Sequence, residues 1–124
     1  MNIEDIAKEI VDAAFAVHNE LGPGLLESTY KSCLEHELQI RGFHVERQLP
    51  QPVVYKGLEI DTGYRLDLLV ENAIIIELKS VDQLMPIHQA QLLTYLKLSK
   101  KTLGFLINFN VPLIKQGIKR FIYS

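Results

Sequence analysis

Asp67, Glu77 and Lys79 are the residues of this chain whose types and spacing ask for a chemical explanation. They stand inside two short apolar runs, Tyr64-Arg65-Leu66-Asp67-Leu68-Leu69-Val70 and Ala73-Ile74-Ile75-Ile76-Glu77-Leu78-Lys79. Both runs read as strands, being brief, apolar and bounded by polar residues. Three consecutive isoleucines in the second suit a strand covered on both faces. A carboxylate or an ammonium in such a strand is costly to bury unless it is paired or bound to a metal. Two carboxylates on adjacent strands can share a divalent cation, and a lysine two residues on can hold a phosphate or a water.

Sharing a cation requires Asp67 and Glu77 to face the same way. Side chains alternate along a strand. A two-residue turn at Glu71-Asn72 would set Asp67 opposite Ile76, the wrong parity. A three-residue connection, Glu71-Asn72-Ala73, pairs Val70 with Ile74 and sets Asp67 opposite Glu77. Directly opposed Cβ atoms lie about 4.5–5.5 Å apart, close enough for one cation between two carboxylates. The chemistry therefore predicts the three-residue connection. The plainer alternatives are an exposed acidic spot on an antiparallel face, and an ion pair of Lys79 with either acid.

Asp67…Glu77-Leu78-Lys79 across a hairpin resembles the signature of the PD-(D/E)XK nuclease superfamily. Gly24-Leu25-Leu26-Glu27-Ser28-Thr29-Tyr30 is similar to the GxxExxY motif of one small branch of it. So are the blocks Gly63 to Val70, Gln91-Leu92-Leu93-Thr94-Tyr95-Leu96, and Gly104-Phe105-Leu106-Ile107-Asn108-Phe109-Asn110. The resemblance runs over roughly residues 4–122. It implies an α/β fold with the restriction-endonuclease-like αβββαβ core, a mixed central sheet flanked by helices, and an extra helix in front. It also implies metal-dependent hydrolysis of phosphodiester bonds, in DNA. A catalytically silent module of the same fold, binding nucleic acid or a protein partner, is the alternative, because fold and function can part company. Hydrolysis of another phosphate ester or a nucleotide is a third reading.

The expected metal ligands are Asp67, Glu77 and the Leu78 carbonyl. This all-oxygen set, completed by water, suits Mg²⁺ or Mn²⁺ rather than zinc. Lys79 is the expected catalytic cation. Glu27 is expected to be a third site carboxylate; if Gly24 is the N-cap, Glu27 at N3 would instead close a capping box. Tyr30 shares its face and either contacts substrate or belongs to the core. Gln91 and Tyr95 are an i,i+4 pair on one helical face. Gln-x-x-x-Tyr resembles the motif following Glu-x-Lys in RecB-like nucleases, which implies a substrate-facing role; packing on the sheet is the alternative. His18, His36 and His44 have no partners at ligand spacing.

The formal net charge is -2, which argues against a broadly basic DNA-coating protein, yet charge is unevenly spread. All 15 acids lie at or before Asp82, and from Gln83 onward there are six basic residues and none. Lys97, Lys100, Lys101, Lys115, Lys119 and Arg120 therefore suggest a polyanion-facing surface, with Lys100 and Lys101 expected to bind substrate; solvated lysines on an exposed edge are the alternative.

At 124 residues the chain is expected to be one domain spanning 1–124. The acidic, helix-patterned N-terminus does not read as a signal peptide, and no apolar run approaches a membrane span. The lone Cys33 reads as a packed small apolar residue, so a cytoplasmic location is expected. A homodimer stays open. Periodicity predicts helices over 3–20, 25–41 and from Pro86 to about 98. Strands are expected over 43–49, 53–55, 58–60, the two runs above, 102–109 and 117–123, the last at an edge.

Overall fold

The structure is a computed structural model describing residues 1–124. Helix α1 (Ile3–Leu21) opens at Asn2, whose side chain accepts from the Asp5 amide at 2.9 Å, the expected N-cap. Its inward stripe Ile6, Ile10, Ala13, Ala14 and Val17 is buried. After the Gly22-Pro23-Gly24 break, helix α2 (Glu27–Ile40) begins with Leu26 as N-cap. Glu27 is thus the first helical residue and not the third. The capping-box alternative, which needed Gly24 as the cap, is corrected by this two-residue shift. Gly42 follows the helix with φ 91°, the left-handed conformation that ends helices. Phe43 is buried there as part of the connection and precedes the strand rather than starting it.

Strands β1 (Val45–Pro50), β4 (Arg65–Val70), β5 (Ile74–Lys79), β6 (Leu103–Asn108) and β7 (Ile118–Ile122) form one sheet in the order β1-β4-β5-β6-β7. Strands β2 (Val53–Tyr55) and β3 (Leu58–Ile60) leave it as a separate antiparallel hairpin. The pair β5–β6 is parallel, connected through helix α3 (Pro86–Ser99), and the other pairings are antiparallel. This is the expected mixed sheet flanked by helices, with α2, β1, β4, β5, α3 and β6 as the αβββαβ core, α1 in front and β7 at the far edge. No helix is long and apolar enough to cross a membrane.

Two apolar layers hold the sheet. Helices α1 and α2 cover one face through Tyr30, Leu34, Leu68, Ile74, Ile76, Leu78, Phe105 and Phe109. Helix α3 covers the other through Leu92, Tyr95 and Leu96 on Leu69, Ile75 and Leu106. The isoleucine run of β5 is fully buried on both sides, as its composition predicts. Cys33 is free and packs against the larger layer.

Gly117 lies where the chain, after a short 3₁₀ turn (Ile114–Gly117), returns beside the end of β6. A Cβ there would sit 2.0 Å from the Asn108 carbonyl oxygen, a backbone atom with no freedom to yield. Gly117→Ala is expected to destabilise the fold by about 3 kcal/mol through overpacking. Chemical denaturation would measure it, with a surface Lys115→Ala change as the near-neutral control.

Candidate active site

The turn between β4 and β5 is the three-residue connection that the chemistry required. Val70 pairs with Ile74, Leu69 with Ile75 and Leu68 with Ile76. Glu71 and Asn72 adopt positive φ, 53° and 52°, and the Ala73 amide donates to the Val70 carbonyl at 3.0 Å. Continued by one step, this register sets Asp67 opposite Glu77.

At that step the ladder stops and the strands part. The Asp67 amide donates to Glu77 Oε2 at 2.8 Å, and the Leu78 amide donates to Asp67 Oδ2 at 2.9 Å. Each carboxylate satisfies a backbone N–H across the gap that a regular ladder would have paired. On its other side β4 also skips one position: Arg47 and Leu49 of β1 pair with Leu68 and Leu66, while Gln48, with φ 53°, leaves the ladder opposite Asp67. The alternation of β4 breaks at Asp67: Leu66 and Leu69 both lie in the layer under α3, Leu68 and Val70 in the other.

Glu77 is 5 % exposed. Burial, reinforced by the neighbouring Asp67 charge, pushes its pKa up to about 8; the Asp67 backbone N–H and the Lys79 and Lys31 charges pull the other way without cancelling it. Asp67 is held by a residue that sequence reasoning did not single out. Lys31 Nζ of α2 lies 2.9 Å from Asp67 Oδ1, and both side chains are largely enclosed. The signal for it was present. Residues 31, 34 and 38 form one helical stripe, and a lysine on the buried stripe of Leu34 and Leu38 needs an acid partner.

Lys79 is half-buried at the end of β5, shares the Glu77 parity, and has no carboxylate partner among the ion pairs of the chain. The ion-pair alternative for Lys79 therefore falls to Lys31 instead. Across the parallel pairing Lys79 adjoins Asn108, a second residue missed from sequence. Asn108 is buried; its Oδ1 accepts from the Val81 and Asn110 amides at 3.1 and 3.2 Å, and its Nδ2 donates to the Val81 carbonyl at 2.9 Å. It pins the segment that leaves the site.

The remaining expected residues divide. Gln91 and Tyr95 lie together in a groove of about 400 Å³ whose walls include Val53, Tyr64, Ile87 and Thr94. The Tyr95 hydroxyl is pushed up to about 12 by burial first and then by the nearby charges, Glu77 foremost, which links the groove to the carboxylates. The Tyr64 and Tyr95 rings stand 6.1 Å apart at 58°. His88, near the same face, caps α3 by accepting from the Met85 amide.

Tyr30 falls on the core side of its two readings. It is fully buried and stacked on Phe109 at 4.7 Å; its hydroxyl donates to the Gly22 carbonyl and accepts from the Leu25 amide. Glu27 is half-buried at the start of α2, and no third Asp, Glu, His or Cys joins Asp67 and Glu77. Lys100 and Lys101 sit before β6, beside the β4–β5 turn, with Lys101 Nζ 3.3 Å from Asn72 Oδ1. That is the opposite end of the sheet: β5 alone runs five residue steps, about 17 Å, from Ile74 at that end to Lys79. Nor do the six late basic residues form one patch: Arg120 is spent on a bidentate pair with Glu4.

The chain matches the family profile of the PD-(D/E)XK nuclease superfamily over residues 4–121, and it belongs to that superfamily. No curated protein and no solved structure matches it. Members of the superfamily generally use divalent metals. The donors present fit such an ion: two carboxylates and a backbone carbonyl offer only oxygen, and the single Lys31 ammonium matches one of the two carboxylates, leaving Glu77 without a counter-charge in contact.

The Glu77 shift sets a pH dependence. In the folded chain Glu77 keeps its proton up to about pH 8, whereas an ordinary glutamate loses it near 4.5. Between those limits the folded state binds more protons than the unfolded one, so this group's contribution to stability falls as pH rises. With chelator present, Glu77→Gln is expected to melt progressively higher than wild type from pH 5 to pH 8.5. Parallel melting curves at both ends of that range would contradict the burial argument.

Proposed function

We propose that the chain is a metal-dependent nuclease that hydrolyses phosphodiester bonds in DNA, and that within the superfamily it belongs to the GxxExxY branch. The observation that carries this reading is the position of Asp67 and Glu77 where β4 and β5 part, with Lys79 beside them and without a carboxylate partner. An Mg²⁺ or Mn²⁺ ion held by Asp67, Glu77 and the Leu78 carbonyl would supply Lewis acidity toward a phosphoryl oxygen and make a bound water more acidic.

The chain's own groups do the rest. Water attacks phosphorus in line and gives up a proton to solvent, the bond to the leaving oxygen breaks and that oxygen takes a proton from solvent, and negative charge builds on the non-bridging oxygens on the way. The Lys79 ammonium, held by a strand embedded in the core, orients the attacking water or meets that charge without having to reorganise. Gln91 and Tyr95 line the approach, where an amide and a phenol can hydrogen-bond phosphate or base. Glu27, at the N-terminus of α2, stands outside the Asp67–Glu77 pair and would act on the site through its charge and not as a metal ligand. Lys100 and Lys101 would contact phosphates several nucleotides from the scissile bond.

A catalytically silent module is the second reading, and one observation favours it: an ammonium already neutralises Asp67. Calorimetric titration with Mn²⁺ and incubation with single-stranded, duplex and branched DNA separate the two. Wild type is expected to bind Mn²⁺ and cleave. Asp67→Asn and Glu77→Gln are expected to fold but lose the metal. Lys79→Ala is expected to keep metal binding and cleave about 10²-fold more slowly, the scale of a positioned catalytic group. Absence of cleavage in every form, with Mn²⁺ bound, would favour the silent module.

Glu27 gives a separate test. At the first helical position it contributes through the dipole by less than about 1 kcal/mol. Glu27→Gln is therefore expected to leave thermal stability nearly unchanged while slowing cleavage. Full activity in that variant would remove Glu27 from the site.

A further inference from the structure

The lysine that holds Asp67 is the part of the site that the functional reading leaves unused. Lys31 is a buried cation on the inner stripe of α2. Its ammonium lies 2.9 Å from Asp67 Oδ1. The other Asp67 oxygen accepts from the Leu78 amide, and one Glu77 oxygen accepts from the Asp67 amide. Of the four carboxylate oxygens, two serve the backbone, one serves Lys31, and Glu77 Oε1 alone takes no hydrogen bond from the chain. A cation shared by both carboxylates would take the oxygen that Lys31 now holds or a remaining lone pair of an oxygen beside it, and in either place it meets the Lys31 ammonium.

We propose that Lys31 is a resident counter-cation of the site: it neutralises Asp67 in the metal-free protein and competes with the divalent ion, which displaces it from Asp67 Oδ1. The inference rests on the metal-site reading above. Two consequences follow from charge alone. Lys31 protects the metal-free fold, because without it the largely enclosed Asp67 carboxylate would have no counter-charge. It also weakens metal affinity, because a positive charge within a few ångströms opposes a divalent cation and must be moved aside. A merely structural lysine, holding Asp67 in the correct rotamer for the metal, would do the reverse: its removal would weaken binding.

Mn²⁺ titration by calorimetry, paired with melting curves in chelator and in excess Mn²⁺, separates these roles. The variants are Lys31→Met, which removes the charge, and Lys31→Gln, which removes the charge but keeps a donor for Asp67. Both are expected to bind Mn²⁺ about tenfold more tightly than wild type or better. Both are expected to melt lower than wild type in chelator, and to gain more on adding Mn²⁺, since a ligand that binds the folded state more tightly stabilises it more. Should Lys31→Met fail to fold in chelator, Lys31→Gln and folding of the Met variant in Mn²⁺ carry the same test. Wild type that binds Mn²⁺, with variants that bind equally or more weakly, would overturn the counter-cation role while leaving the metal site intact. Binding by the variants but not by wild type would support it in its strongest form. No binding by any of the three would overturn it together with the metal reading.

Discussion

Everything at this site depends on two carboxylates doing work that a β-ladder ordinarily does. Where β4 and β5 separate, the amides of Asp67 and Leu78 would be left without partners in a buried environment, at a cost of about 1–3 kcal/mol each. Glu77 and Asp67 reach across and accept them. This fixes both side chains by backbone geometry and not by surface rotamers. It also buries two carboxyl groups side by side, a condition relieved at Asp67 by the Lys31 ammonium and at Glu77 by the proton that burial makes it retain. The fold tolerates the strand separation because the acids satisfy it, and the acids stay buried because strands covered on both faces hold them there.

That mutual dependence explains why the register was legible in the sequence. Parity along a strand is strict, so the requirement that Asp67 and Glu77 face each other selected one connection length out of two. The isoleucine run, the Asn2 cap and the Gly42 stop were legible for the same reason: each is a local rule with few exceptions. Glu27 was harder, because helix boundaries shift by a residue or two and the capping argument depended on one position. Lys31 was not legible because an amphipathic stripe is defined by its apolar members, here Leu34 and Leu38. A charged residue on such a stripe is a stronger clue than the apolar ones, since it demands a partner elsewhere in the chain.

Charge read along the sequence did not translate into charge in space. The acid-free segment from Gln83 onward is one stretch of chain, but it wraps the far edge of the sheet and both of its ends. Lys100 and Lys101 come to the β4–β5 turn, Lys119 and Arg120 to the edge strand, and Arg120 is matched by Glu4 from the opposite terminus. Any nucleic acid engaging several of these residues would have to pass along the sheet rather than sit on one patch. The groove at Gln91, Tyr64 and Tyr95 is nearer the carboxylates, whose charges are felt at the Tyr95 hydroxyl.

The Tyr30 clasp has a consequence for how the fold can be trimmed. Its hydroxyl ties Gly22 to Leu25, its ring stacks on Phe109, and Ser80, one residue beyond Lys79, donates to the Leu25 carbonyl. The turn between the extra helix and the core is thus stitched to the strand end that carries the candidate lysine. Helix α1 is accordingly no detachable ornament on a minimal nuclease core. It behaves as a foundation stone: a shortened relative lacking it would have to rebuild the wall behind Tyr30 before it could hold the end of β5 in the same place.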